Sequence, residues 1–220
     1  MTETLNIIQQ YLGKATFETF QMVSISLIVA TVLGIIIGLL LYITSNPLLL
    51  ENKIINIISS TIVNILRSIP FIILLVVVIP LTKLIVGTTI GPLAATVPLS
   101  LSATAFNARL IEGAFAEIKK ETIESSIATG ASLPLIIRKV LFVEALPSII
   151  RAITVTFISL IGYSAMAGIV GGGGIGDLAI QFGYYRYETG IMIITVVMLV
   201  VIVQLIQYLG DKISKAIDHQ

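Results

Sequence analysis

From Thr19 to Leu50 the chain carries no charged side chain, and apolar stretches of comparable length recur along its 220 residues. No water-soluble domain can bury that much hydrocarbon. A helix of about 20 apolar residues crosses a hydrocarbon core roughly 30 Å thick, so each stretch is long enough to span a bilayer. Lipid offers the backbone no hydrogen-bond partners, and a helix satisfies its own N–H and C=O groups. The chain therefore reads as an all-α integral membrane protein.

Composition removes several functions. Hydrophobic residues make up 56% of the chain and charged residues 11%, the balance of a membrane protein. With no cysteine, disulfide frameworks, thiolate metal sites and thiol nucleophiles are excluded. The single histidine, His219, stands at the extreme C-terminus and gives histidine-based metal binding or catalysis little to work with. A net charge of +1 leaves no footprint for nucleic acid. The first residues lack the basic start of a secretory signal, and the run after them is too long for one, so it is read as a retained first span.

Five stretches are apolar and long enough to cross: about 19–44, 55–82, 84–108, 152–173 and 189–210. An odd number puts the termini on opposite sides. With the N-terminus outside, Lys53, Arg109, Lys119, Lys120, Arg138, Lys139, Arg151, Lys212 and Lys215 all face the cytoplasm, against Lys14, Lys83 and Arg186 outside. Cytoplasmic loops carry the excess of Lys and Arg, so N-out, C-in is predicted. The segment from Thr4 to Phe17 is patterned for a short interfacial helix. Residues 1–220 form one transmembrane domain, with no repeat or low-complexity linker to divide it.

The third, fourth and fifth stretches hold no Asp, Glu, Lys, Arg or His. Ion-coupled carriers place ionisable groups at mid-membrane depth, and Arg67, the one charge inside a span, does not titrate near neutrality. Ion-coupled transport is therefore disfavoured. No G-x-x-x-x-G-K-[ST] is present, so if transport is active, ATP is hydrolysed by another polypeptide. Gly171 to Gly176 formally contains G-x-G-x-x-G, but a lipid-length helix precedes it where a dinucleotide site needs a strand. It is expected to be a tight turn at the outer end of the fourth span, where glycines permit unusual backbone angles.

The hydrophilic segment from Arg109 to Arg151 faces the cytoplasm. Its charged start gives way to small residues, Ser125, Ser126, Ala128, Thr129, Gly130, Ala131 and Ser132. Gly130 can end one helix in the left-handed conformation, and Ser132 can cap the next, with Pro134 in its first turn. Two short helices at a sharp bend would let another protein approach closely. On spacing alone the segment reads equally well as a solvated loop.

Glu124-Ser125-Ser126-x-x-x-Gly130 resembles the E-A-A-x-x-x-G loop of permease subunits of binding-protein-dependent ABC importers, with serines replacing the alanines. The proline that family places after the glycine at fixed distance is missing from Val140-Leu141-Phe142-Val143, whereas Leu146-Pro147 is present. Arg67-Ser68-Ile69-Pro70-Phe71, Gly162-Tyr163-Ser164-Ala165-Met166 and the run from Gly171 to Asp177 followed by Leu178-Ala179-Ile180 are similar to motifs of its methionine-importer branch. The likeness extends from about residue 13 to Asp211. It implies a type I ABC importer permease fold in a bacterial cytoplasmic membrane, carrying methionine as the L form or as both enantiomers. It also implies coupling helices within about 112–147 that dock into an ATPase subunit through Glu124, Ser125, Ser126, Gly130, Ala131, Ser132 and Arg138, with Glu112 framing the contact.

The same resemblance implies partners: an ABC ATPase homodimer that binds ATP and Mg, and an extracytoplasmic methionine-binding protein or lipoprotein. This chain itself would bind no cofactor and catalyse no reaction. Five helices are too few to enclose a gated path, so a homodimer with the path on its two-fold axis is expected. Arg67 and Pro70 are candidates for a gate or pathway, with snorkelling of Arg67 to the interface as the alternative. Tyr163, Ser164 and Met166 suit a path for a thioether-bearing zwitterion and equally suit helix packing. Tyr184, Tyr185, Arg186 and Tyr187 fit an aromatic belt at the outer interface, with contact to the binding protein second. Other readings are an importer permease for another amino acid or small solute and, in a different class, a passive channel or scaffold.

Overall fold

The computed structural model describes residues 7–217, and among them every regular element is a helix. The first, α1 (Ile8–Ser45), runs 38 residues without a break, its opening turn wound as a π-helix. The separate interfacial helix expected for Thr4 to Phe17 is therefore absent from Ile8 onward, because Gly13 keeps a helical φ of −62° and nothing interrupts the chain. Its first residues, like His219, lie outside the described residues.

Along α1, Ser26, Ala30, Gly34 and Gly38 repeat every four residues and are all buried. They form a stripe of small side chains on one helix face, which lets a neighbouring backbone come close. The neighbour is α5 (Pro92–Ala116). A Cβ on Gly34 would lie 2.6 Å from Asn107 Nδ2, and one on Gly38 would lie 2.7 Å from the Ala108 carbonyl oxygen. Glycine is required at both positions. Helix α5 has 25 residues, enough to cross, yet its sequence is rich in Ala, Ser and Thr because it packs among α1, α2 and α8 more than it faces lipid.

The stretch expected as one span at about 55–82 is divided. Helix α2 (Lys53–Ser68) and α3 (Phe71–Val77) meet at 104°, and α4 (Ile79–Val86) follows. Pro70 explains the break. It has no N–H for the helix, and it pushes Ile69 out of the helical region, to φ −79° and ψ 122°. Gly87 ends α4 at φ +81°, so the third stretch becomes helical only at Pro92 rather than at 84.

After α5 come α6 (Lys120–Ala128) and α7 (Leu133–Ile136), which continues through a π-helical Ile137–Leu141. Then α8 (Leu146–Ile169) re-enters with Pro147 in its first turn. After it, α9 (Gly174–Leu178) and α10 (Thr189–Ile217) complete the bundle. By length and apolarity α1, α8 and α10 can each cross a membrane, and the bent pair α2–α3 makes a fourth if its halves form one span.

The glycine run behaves as its composition suggests. Gly171, Gly173 and Gly174 have φ of +84°, +76° and +87°, and they turn the chain from α8 into α9. Glu18 and Thr19 of α1 hold this turn: the Gly174 N–H donates to Glu18 Oε2 and the Ile175 N–H to Thr19 Oγ1, each at 2.9 Å. Those contacts satisfy two amides at the start of α9.

Candidate functional site

Two regions stand out. The first is the elbow between α6 and α7. Gly130 adopts φ +80°; its N–H donates to the Ile127 carbonyl at 2.9 Å, and the Ala131 N–H donates to the Ser126 carbonyl at 3.2 Å. This is a complete Schellman termination, the geometry that the spacing predicted for Gly130. Ser132 occupies the N-cap position of α7, but its hydroxyl does not cap. Its backbone carbonyl instead accepts from Leu135 and Ile136 at 2.9 and 3.0 Å, and Pro134 has no N–H to satisfy.

The elbow is pinned from inside and open outside. Ile123, Ile136 and Leu141 are buried against Phe115, Ile111 and Tyr42. Glu124, Ser125, Gly130, Ser132 and Arg138 are exposed, and Ser126 and Ala131 half-buried, so all seven residues implied by the resemblance lie on or beside one bend. Exposed Ile127 and Leu135 flank it with apolar surface. Lys120 pairs with Glu124 at 3.1 Å within α6. Glu112, on α5, lines a surface cavity together with Lys120, the first residue of α6. It accepts from Arg109 Nη1 at 2.6 Å within α5.

The second region is an open cleft of about 730 Å³ at the break between α2 and α3, completed by α5 and α8. Arg67, Pro70, Tyr163 and Met166, chosen from distant motifs, all line it. The Tyr163 ring stacks on Phe71 with centroids 4.7 Å apart and planes 18° apart. Ser164 is not part of the lining: it is buried, and its hydroxyl donates to the Ile161 carbonyl at 2.8 Å. Sequence reasoning missed Asn64, Ile72, Ser102 and Phe106, which also line it. The signal was present in their spacing, since Asn64 lies one turn before Arg67 and Ser102 one turn before Phe106.

A guanidinium fixes the cleft's edge to α5. Arg109, half-buried in α5, donates from Nη2 to Asn64 Oδ1 at 2.9 Å, to the Ser60 carbonyl at 3.2 Å and to the Ser60 hydroxyl. It therefore fastens the cleft-lining end of α2 to the helix that leads into the elbow. Among the described residues no group of His, Cys, Asp and Glu is placed to hold a metal ion.

The family profile described as "Binding-protein-dependent transport system inner membrane component" matches residues 30–219. The chain belongs to that family. This inner membrane component is 50% identical over 206 residues to the probable D-methionine transport system permease protein MetI of Vibrio cholerae, covering 94% of this chain and 92% of that one. It is 44% identical over 209 residues to the methionine import system permease protein MetP of Bacillus subtilis, with 95% and 94% covered. A chain of the MetNI methionine ABC transporter, solved in inward-facing conformations, superposes with a TM-score of 0.93 at 46% identity, over 96% of this chain and 98% of that chain. The permease fold implied by the loop and span motifs is thus the fold observed, in a multi-pass component of the bacterial inner membrane.

Proposed function

We propose that this chain is the membrane-spanning permease subunit of an ATP-driven importer of methionine. It spans the membrane five times, with α5 and the bent stretch through α2 to α4 each crossing once, the N-terminus outside and the C-terminus in the cytoplasm. The Lys and Arg bias supports that orientation. Two copies pair so that their clefts face one path on the two-fold axis. An ATPase dimer grips the Gly130 elbows from the cytoplasm, and an extracytoplasmic methionine-binding protein delivers substrate from above. ATP and Mg are bound by the ATPase subunits, and no covalent step occurs in this chain.

One observation carries the reading: the elbow is exposed where a partner would touch it and buried where it must be stiff. A lever of this kind passes on motion as a packed rigid body. ATP binding closes the ATPase dimer, the elbows move with it, and the cleft switches from inward- to outward-facing. Proteoliposomes holding this permease, its ATPase and the binding protein should accumulate radiolabelled methionine only with ATP inside the ATPase compartment. Flux that persists without the ATPase would make the chain a channel and end the proposal.

A further inference from the structure

The groups lining the cleft are sorted by chemistry. Arg67, Asn64 and Ser102 supply polar groups, and the stacked Phe71–Tyr163 pair, Phe106 and Met166 supply aromatic and thioether surface. No Asp or Glu lines it. Arg67 has no acceptor among the described residues, so its guanidinium is free to take one from a ligand. Arg109 settles which way the Asn64 amide points. A guanidinium can only donate, so the Asn64 atom 2.9 Å from Arg109 Nη2 is the oxygen, and Nδ2 is the atom left over as a donor. Asn64 and Arg67 are three residues apart on α2 and share a face.

We infer that the cleft is a subsite for a carboxylate with an apolar tail, in which Arg67 and Asn64 Nδ2 take the carboxylate while Phe71, Tyr163, Phe106 and Met166 take the tail. This assignment rests on the importer reading and names the part of the substrate that the permease itself recognises. A guanidinium matches a carboxylate with two parallel donors, and aromatic and thioether groups form an adaptable wall for a sulfur-containing chain. The volume lies within the range of small-molecule pockets. With no acid in the lining, no carboxylate pairs with an ammonium group. The cleft therefore selects for the carboxylate more strongly than for the amine.

The test uses the purified permease–ATPase complex without the binding protein, so that the binding protein does not filter ligands. A methionine analogue bearing a diazirine in its side chain is photolysed on the complex, and labelled residues are mapped by mass spectrometry. Label is expected on Phe71, Tyr163, Phe106 or Met166. The desamino compound 4-(methylthio)butanoate should protect against labelling, and methioninol, which lacks the carboxylate, should not. Arg67→Gln should cut the label about tenfold or more, the scale of a lost charge-assisted hydrogen bond, and Arg67→Lys should cut it less. Co-purification with the ATPase checks that both variants are folded, and the competition arm needs no variant at all. Label elsewhere, label in the cleft unmoved by Arg67→Gln, or equal protection by methioninol would each overturn the assignment. Failure of ATP-driven methionine uptake would instead sink the importer reading and leave these labelling results standing.

Discussion

Asn107 donates from Nδ2 to the carbonyl of Ala30 at 3.0 Å, across the close contact between α1 and α5. Asn107 is fully buried, and its Oδ1 accepts the hydroxyl of Thr156 at 3.1 Å, so one side chain joins α1, α5 and α8. Between helices in a membrane the hydrophobic effect is weak, and packing together with polar contacts decides association. Asn107→Ala removes both bonds and the packing against Gly34. A loss of about 1–2 kcal/mol is expected, read as a lower melting temperature of the purified complex in detergent. Unchanged melting would show that close packing of the small residues holds these helices without the amide.

Gly130 separates folding from docking. Its φ of +80° penalises any residue with a Cβ, yet a Cβ built there meets nothing within 4 Å. Gly130→Ala should therefore cost only about 1–2 kcal/mol in backbone strain and still yield folded permease. Gly130→Phe carries the same strain but adds bulk on the exposed side of the elbow. It should leave the permease monodisperse while the ATPase no longer co-purifies. If the ATPase stays bound to the Phe variant, the elbow is not the docking surface.

Arg109 fastens α2, which lines the cleft, to α5, the helix that leads into the elbow. Its Nη1 holds Glu112, while its Nη2 holds Ser60 and Asn64 on α2. Arg109→Lys keeps the charge but loses the fork, and Arg109→Ala loses both. Along such a physical link, substitutions change coupling by about 0.5–2 kcal/mol, so the ATP spent per methionine should rise several-fold for Ala and less for Lys. Uptake and hydrolysis measured side by side in proteoliposomes give the ratio. A fall in both by the same factor would make Arg109 a stability residue only.

What the sequence made legible was what local rules govern. Gly130 needs a left-handed turn, Pro70 breaks a helix, and Gly171 to Gly174 reverse the chain; each follows from backbone sterics within a few residues. The missed features depend on partners far along the chain. Nothing near Asn107 reveals that Ala30 and Thr156 will meet it, and nothing near Asn64 reveals Arg109. Ser164 was grouped with Tyr163 and Met166 by adjacency, but neighbours on a helix point about 100° apart, and it turned inward. Hydropathy likewise underrates α5, because a helix wrapped by other helices has no need to be greasy.

Asp177, in the short helix that follows α8, offers a pH test. Burial pushes its carboxyl above the ordinary value of 3.8; the hydrogen bond from Gln181 pulls it back, and the nearby charge of Glu18 adds to the rise. A raised acid pKa means the folded protein holds the proton more tightly than the unfolded chain does. The stability that Asp177 contributes is therefore complete below the ordinary value and is lost as pH climbs through the raised one. Asp177→Asn removes the ionising group, and its Oδ1 can still accept from Gln181 Nε2, now 2.8 Å away. The variant should melt higher than the parent near pH 7, and the gap should close toward about pH 4. A gap that widens on acidification would mean that ionised Asp177 is stabilised in the fold, with a pairing stronger than the burial that opposes it.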